Sequence, residues 1–515
     1  MAFAALIYVA IAAILFRNLL PVLTTHLFGD PGDPLLNVSV LAWSAKHLPL
    51  TDAWWNFPAF APATGVTAFT EHFLGAYPLT TPIIWMTGNP VLAYNVLELA
   101  CFTLNGVAAY ALVRELTTPG RKRPGLRAGA FFGGLAFAFA PFVGEHATHV
   151  QMLMAFGMPV ALLGLHRYLA DGRRSDLVWF AVGWFEVLLS NAYLLVFFPI
   201  LVALWSVWFF RRVDLRRWRA IAATAVAATL PVVPLLIGYV VRQRAYGFRR
   251  SVDEIAAFSA TWSSLLGISH RAVLWTGWLP NTFAEASLFP GFAIAALAIV
   301  GVATGRRRVV LFYFVAAVAM WLLALGPVHG PYWLLLKLPG ARSIRVPARA
   351  WSVATVCLAV CAGYGAAWLA SRDRIRWLLV PIALMIVAEA WFAGPLVAAP
   401  AQVPLYLPND ATVLDLPITT DFRNADAQYR AVMSNYRVVN GYSGYFPPGF
   451  VDLANDINAH RSVALLPFRR RGDLYVIARG NDVDPSVVTW LEMQAGVERV
   501  AQLADWKIYR LPAIR

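Results

Sequence analysis

Cysteine is nearly missing from this chain: there are three in 515 residues, Cys101, Cys357 and Cys361, and each falls in an apolar run. That argues against a disulfide scaffold. The last two are spaced i, i+4 without the acidic or histidine company a metal site needs, so all three read as small buried apolar residues. Charge is scarce too, at 14% of residues against 59% hydrophobic. A soluble chain of this length carries nearly twice that charged fraction, so composition points to a polytopic membrane protein. Alternating amphipathic strands are absent from the apolar part, which argues against a transmembrane β-barrel. Tandem repeats, low-complexity tracts, an HExxH-like spacing and a Rossmann-type Gly-rich loop are also absent. The net charge is +14. Its arginines sit in short clusters between apolar spans, which fits positive-inside topology rather than nucleic-acid binding, and no nucleic-acid partner is expected.

Apolar stretches long enough to cross a ~30 Å hydrocarbon core recur along the chain. They fall at about 3–24, 90–113, 128–143, 149–170, 177–191, 193–210, 220–241, 287–304, 309–326, 347–371 and 377–398, giving eleven expected spans. The first, 1–23, has no basic start and no clear small-residue cleavage site, so it reads as a retained anchor. Segment 72–87 is apolar but short and interrupted by Pro78 and Pro82. If it lies at the interface, five basic loops share one face: Arg121-Lys122-Arg123 with Arg127, Arg173-Arg174, Arg211-Arg212 with Arg216-Arg217-Arg219, Arg306-Arg307-Arg308, and Arg372-Arg374-Arg376. Were it to cross, every later loop would change sides and the clusters would lie outside. The interfacial placement is therefore expected. It puts the N-terminus in the cytoplasm, with the first outer loop (25–89) and the C-terminal tail outside. From about residue 400 the composition becomes that of a soluble domain. Strands are expected at 411–418, 473–478 and 506–511, with helices at 449–466 and 485–495, enough for one small α/β domain over 400–515.

The first candidate for chemistry is the acidic loop Gly29-Asp30-Pro31-Gly32-Asp33-Pro34, at the lip of the membrane just after the first span. Its Gly and Pro neighbours favour a tight turn. A carboxylate there could take a proton from a hydroxyl, and partial burial would raise its basicity. The duller role is that Asp30 caps the helix starting near Pro34, which leaves Asp33 slightly ahead as the base.

Two outer loops break the charge rule, with Arg242, Arg244, Arg249 and Arg250, then Arg342, Arg345 and Arg349. They could hold a lipid-linked phosphate, meet phospholipid head groups, or pair with Asp253, Glu254 or Glu285. Arg342, Arg345 and Arg349 adjoin the outer end of a span, where a lipid phosphate would lie. Glu71-His72, and Glu145-His146 with His149 and Gln151, face the same side. They could contact substrate, supply ordinary interfacial polarity, or place His146 and His149 with Glu145 or Glu71 around a divalent metal. Within the spans lie Arg17, Asn18, Glu186 and Asn191, and for Glu186 a structural pair with an arginine is expected ahead of a substrate role. Trp54, Trp55, Trp275 and Trp278 could stack on sugar rings or line a lipid groove, although interfacial belts explain most tryptophans. The loop Asn440-Gly-Tyr-Ser-Gly-Tyr-Phe-Pro-Pro448 is either a packed turn or a cover over the site, with Tyr442 and Tyr445 touching substrate.

A first helix, an outer loop bearing aspartates, an interfacial helix and a second span ending in Arg-Glu-Leu-Thr together resemble the GT-C superfamily of membrane glycosyltransferases. The stretches GDPGDPLLN, TEHFLGAYPLTTPIIWMTGNPVLAYN and IRVPARAW are similar to a bacterial branch near YfhO-type proteins. The likeness covers nearly the whole chain, most specifically its first 170 residues. It implies a GT-C-like transmembrane domain over 1–399 and an enzyme of the bacterial cytoplasmic (inner) membrane. The reaction implied is inverting transfer of a sugar from a polyprenyl-phosphate-type donor to a glycan, lipid or protein acceptor outside. Asp33 or Asp30 would be the base, with donor phosphate on Arg342, Arg345, Arg349, Arg249 and Arg250. Glu71, His72, Glu145, His146, His149, Gln151, Tyr442 and Tyr445 would contact substrate. No cofactor is required, though some members use a divalent metal. Fold does not fix function, so a lipid-linked glycan transporter or flippase and a non-catalytic assembly factor are the rivals. One displacement site cannot include both groups if Asp33 lies more than about 15 Å from every outer arginine.

Overall fold

The computed structural model describes residues 1–117, 126–210, 214–305, 307–338, 340–480 and 482–514. The basic segments Arg121-Lys122-Arg123, Arg211-Arg212 and Arg306 lie outside the described residues. Each expected span contains helix, but the first is α-helical only to Leu15 and the last, 377–398, leaves helix after Glu389 and ends in a strand at Leu396–Ala398. Among the described residues, six helices are long and apolar enough to cross a membrane: Pro90–Thr117, Arg127–Glu145, Val150–Asp171, Ala192–Phe209, Leu215–Ala245 and Pro347–Ala370. Ala2–Leu15, Phe292–Thr304 and Arg308–Ala324 are shorter apolar helices. Only 17% of the apolar window in 215–245 is covered by protein, a surface that in water would be an aggregation hazard and in lipid is ordinary. The chain is an integral membrane protein.

The bundle is tied together where small residues let backbones meet. A methyl on Gly301 would sit 1.9 Å from the Cys361 carbonyl, and one on Gly365 2.0 Å from that of Leu297. Helices Phe292–Thr304 and Trp351–Ala370 therefore touch backbone to backbone, the close approach that drives helix association where no hydrophobic effect operates. Helix Tyr77–Thr87 has eleven residues, about 16 Å of length, and carries Pro82 inside. It stops at Gly88, whose φ of 67° ends the helix in the left-handed region.

The C-terminal region folds around a five-stranded mixed sheet in the order β4-β3-β5-β7-β6. Strands β3 (Thr412–Leu416), β5 (Leu474–Arg479) and β7 (Trp506–Leu511) lie at the expected positions. The sequence reading misses β4 (Arg437–Val438), β6 (Glu498–Leu503) and helix Asn424–Ser434. β6 is mostly exposed, so no alternation marks it, and β4 is two residues long.

Two long-range pairings position the site. β1 (His26–Phe28), just after the first helix, pairs antiparallel with β2 (Leu396–Ala398), just after helix Leu379–Glu389. Residues 58–61 run beside β4: Phe60 N–H donates to the Asn440 carbonyl (3.0 Å), Ala61 N–H to that of Val438 (2.9 Å), and Val438 N–H to that of Pro58 (2.9 Å). The segment between the first helix and Pro90–Thr117 thus covers the sheet edge that would otherwise stand open.

Candidate functional site

Asp33 is the first residue of helix Asp33–Lys46, not part of a free turn, and Gly32 occupies the N-cap position. Asp30 does not cap this helix. Its Oδ1 accepts from Gly32 N–H (3.0 Å) and its Oδ2 meets Arg271 Nη2 at 3.1 Å. The two aspartates therefore have separate surroundings.

Asp33 enters a chain of charged contacts. Its Oδ2 lies 2.8 Å from His149 Nε2, and its Oδ1 accepts from the Tyr442 hydroxyl at 2.8 Å. His149 Nε2 is also 3.8 Å from Glu285 Oε1, while Glu285 Oε2 lies 3.3 Å from His146 Nε2 and accepts from Arg349 Nε at 2.9 Å. A second Arg349–Glu285 contact, from Nη2 to Oε1, makes that pair bidentate. Arg349 lies over the Tyr193 ring, 4.4 Å from its centroid, and Asn191 fixes Tyr193 by accepting from its backbone N–H (2.7 Å). Asp33 and Arg349 thus share one site, linked through His149 and Glu285. Asp33 is the most open member, with its side chain 29% exposed against 14% for His149, 12% for Glu285 and 6% for Arg349.

The electrostatics correct one expectation. Burial alone would push the Asp33 carboxyl up, but the His149 hydrogen bond and charge, the Tyr442 hydroxyl and Arg349 together hold it below the usual carboxylate range. Asp33 is an ionised acceptor of lowered, not raised, basicity. Glu285 lies well below its usual value because Arg349 and His146 outweigh its burial. Glu71 behaves oppositely. Burial pushes its carboxyl up to about 7 against the pull of Arg349 and His149, and Asp33 and Glu285 add to the rise. Its Oε2 is covered and has no partner among the described residues.

The other expected residues divide into near and far. Arg345 lies over the Phe258 ring at 4.6 Å, with a covered Nε that has no partner among the described residues, and its charge is felt by Tyr442 and Tyr193. Arg249 and Arg342 are exposed. Arg250 is already used: it pairs with Glu254 at 2.7 Å, donates to the Gly444 carbonyl and lies 3.8 Å over the Tyr445 ring. Tyr445 stacks on Phe248 with centroids 4.5 Å apart, so it packs the loop. Burial lowers His72 to about 4, and its Nδ1 accepts from Leu74 N–H at 3.1 Å. Gln151 Oε1 accepts from Asn37 Nδ2 at 3.2 Å, deep in the protein. Glu145 is bound by Ser269, through its N–H at 3.1 Å and through its hydroxyl, so it does not join the histidines. Among the described residues no group of three His, Cys, Asp or Glu side chains is arranged to hold a metal ion. Glu186 accepts from Ser190 at 2.6 Å instead of pairing with an arginine.

Sequence reasoning missed Arg271. Its Nη1 donates to the Thr148 hydroxyl (2.8 Å) and the Glu145 carbonyl (3.1 Å), and its Nη2 reaches Asp30. A signal was present, since Arg271 is another cation in a loop expected outside.

No protein-family model matches the sequence, and no curated protein matches it. Solved structures do share its fold. The arabinofuranosyltransferase AftD from mycobacteria superposes with a TM-score of 0.59 at 15% identity over 100% of this chain, which spans 41% of AftD's length. ArnT from Cupriavidus metallidurans, solved apo and bound to undecaprenyl phosphate, superposes at 0.53 in both states, with 12% and 11% identity over 98% of this chain and 97% of its own. The oligosaccharyltransferase AglB from Archaeoglobus fulgidus, in complex with an inhibitory peptide and a dolichol-phosphate, superposes at 0.52 with 13% identity over 92% of this chain and 69% of its own. The fold is that of the GT-C membrane glycosyltransferases.

Proposed function

We propose that this protein is a membrane glycosyltransferase of the bacterial cytoplasmic membrane. It moves a sugar from a polyprenyl-phosphate-type donor to a glycan, lipid or protein acceptor on the outer face, with inversion. The N-terminus lies inside, the chain crosses eleven times, and the domain at 400–515 lies outside. Within the superfamily, the resemblance of GDPGDPLLN and IRVPARAW supports a position near the YfhO-type branch. The observation that carries the reading is Asp33: an ionised, partly open carboxylate, joined through His149 and Glu285 to a buried arginine, in a fold shared with an enzyme solved with undecaprenyl phosphate.

In this reaction the acceptor oxygen attacks the sugar's anomeric carbon and its proton passes to Asp33. The bond from that carbon to the phosphate oxygen breaks, and the electron pair leaves with the phosphate. A depressed carboxylate suits this role because it is ionised at working pH and needs to take the proton only as the hydroxyl becomes acidic in the transition state. Arg345 is the best placed counter-charge for the leaving phosphate, since Arg349 is already balanced by Glu285 and Arg250 is committed to the loop. Arg342 and Arg249 stand exposed as cations for the donor's approach. Glu71, with an unpartnered oxygen, is available to a sugar hydroxyl.

Turnover of radiolabelled polyprenyl-phosphate sugars by purified protein tests this. Asp33→Asn is expected to lower the rate at least ~100-fold, the scale on which a general base contributes. Asp30→Asn is expected to cost less than ~10-fold, the effect of a partly exposed ion pair. Turnover unchanged in both variants removes the mechanism. Flipping of lipid-linked glycan without transfer, or binding without either, moves the assignment to a transporter or an assembly factor.

A further inference from the structure

Both carboxylate oxygens of Asp33 are occupied. His149 takes Oδ2 and the Tyr442 hydroxyl donates to Oδ1, each at 2.8 Å. A base that removes a proton from an alcohol must first accept that alcohol's hydrogen bond, and an alcohol that takes the Oδ1 position now held by Tyr442 has to displace the tyrosine.

The two partners are held differently. His149 belongs to the charged chain through Glu285 and sits at the start of helix Val150–Leu153, within the bundle. Tyr442 comes from the outer domain, on residues 440–448, which contain no helix or strand. That loop is tied down on both sides of Tyr442. Asn424 donates to the Gly441 carbonyl (3.1 Å) and Tyr442 N–H donates to Gln428 (3.2 Å). Beyond it, Arg250 grips Gly444, and Tyr445 N–H donates to the Phe69 carbonyl at 3.2 Å. The tyrosine is therefore presented to Asp33 by a loop anchored elsewhere, and its side chain can turn away without undoing those anchors. Burial and the Asp33 charge raise the phenol's pKa, so it stays an O–H donor and does not compete as a base. A hydroxyl on carbon, donating to Oδ1, is the group an acceptor sugar would offer there.

We infer that Tyr442 occupies the acceptor hydroxyl's seat on Asp33 while no acceptor is bound, and that it keeps water from being activated there until an acceptor displaces it. The inference rests on the glycosyltransferase reading and adds a specificity device to it. With water in the seat, the same bonds would form and break: the water oxygen would join the anomeric carbon, its proton would go to Asp33, and the phosphate would leave with the electron pair. The donor would be wasted as free sugar. Tyr442 prevents this by holding Oδ1.

The test uses Tyr442→Phe, which removes only the hydroxyl. The donors are farnesyl-phosphoryl esters of arabinofuranose, mannose, glucose and galactose, and the acceptors are octyl glycosides. Without acceptor, the variant is expected to release free sugar roughly tenfold faster than wild type, the scale of a lost hydrogen bond to a charged group. With acceptor, the ratio of transfer to hydrolysis is expected to fall roughly tenfold, and the KM for acceptor to fall because no internal hydroxyl competes. Unchanged hydrolysis, or hydrolysis and transfer falling together, overturns the inference, the latter by showing that Tyr442 positions Asp33.

A second measurement needs no turnover. Labelling by a water-soluble carbodiimide with glycine methyl ester, read by mass spectrometry, is expected to modify Asp33 several-fold faster in Tyr442→Phe, with Asp30 unchanged as the internal control. Equal labelling of Asp33 in both proteins overturns the proposal. Arg250→Gln, which loosens the loop without touching Asp33, is expected to give the same labelling change at smaller size, and its absence likewise counts against the proposal. If wild type turns over none of the four donors while Asp33 labelling still responds to Tyr442→Phe, the function assigned above fails and the masking of Asp33 stands.

Discussion

Burial pushes Glu71 up to about 7 while Asp33, within its electrostatic reach, is held below the ordinary range, because only Asp33 has a histidine and a phenol donating to it. The two carboxylates therefore respond to pH with opposite sign. Below about 4.5, Glu71 is protonated in the folded and unfolded chain alike and contributes nothing to the balance. Between there and about 7 the folded protein keeps a proton that the unfolded chain has released, so this group's contribution to stability declines as pH rises. Above about 7 the penalty is complete, with an upper bound of about 3 kcal/mol. Glu71→Gln is accordingly expected to raise the thermal midpoint at pH 8 by several degrees and to leave it unchanged at pH 4.5. Equal midpoints at pH 8 would mean the carboxyl is solvated and not held near 7. Asp33 and Glu285 act the other way. Their stabilising contribution is present above the ordinary carboxylate range and is lost only as pH falls through their depressed values.

At the scale of elements, the loop between helices Val233–Ala245 and Phe292–Thr304 supplies two of the site's anchors, Arg271 and Glu285. Arg271 joins three partners from two other segments: Asp30, the Thr148 hydroxyl and the Glu145 carbonyl. Arg271→Ala is therefore expected to lower the thermal midpoint by several degrees, following the ~1–3 kcal/mol cost of stripping covered acceptors of a charged donor. Asp30→Asn is expected to move it by no more than about 2 °C, since the Asp30 side chain is 46% exposed and an open ion pair is worth little. The reverse ranking, measured by thermal melts in detergent, would show that Asp30 and not Arg271 holds the loop. This element also shows what could be read from the sequence. Apolar spans and the strands β3, β5 and β7 are legible because each is a local pattern, set by the thickness of a bilayer or by alternation on a half-buried sheet. Asp33, His149, Tyr442 and Arg349 could be nominated singly from type and expected side. That His149 meets Asp33 and Tyr442 reaches it across more than 400 positions has no local signature, and neither does the pairing of β1 with β2. The sign of the Asp33 shift was illegible for the same reason, because it depends on those partners and not on burial alone.

Over the whole molecule, β1 follows the first helix and β2 follows helix Leu379–Glu389, and they pair, so the ends of those helices share a face. Three further ties join the segment before Pro90–Thr117 to the C-terminal region: residues 58–61 beside β4, Lys46 Nζ donating to the Val432 carbonyl at 2.7 Å, and Tyr442 on Asp33. If the first helix crosses from the cytoplasm, that shared face requires an odd number of crossings in all, a condition the proposed eleven meet. Sidedness is then one measurement for the whole assembly. Thr64→Cys before Pro90–Thr117 and Val463→Cys in the C-terminal region, both exposed, are expected to react with a membrane-impermeant maleimide on sealed spheroplasts. Arg174→Cys, also exposed, is expected to react only after permeabilisation. The native cysteines are buried and add little background. Opposite sidedness of Thr64→Cys and Val463→Cys would break the β1–β2 pairing and with it the contact between Tyr442 and Asp33. Joint labelling only after permeabilisation would leave the fold intact but turn the pocket toward the cytoplasm. Soluble nucleotide sugars would then reach it, the outer arginines would become ordinary positive-inside residues, and the case for a lipid-linked donor would lose its electrostatic support.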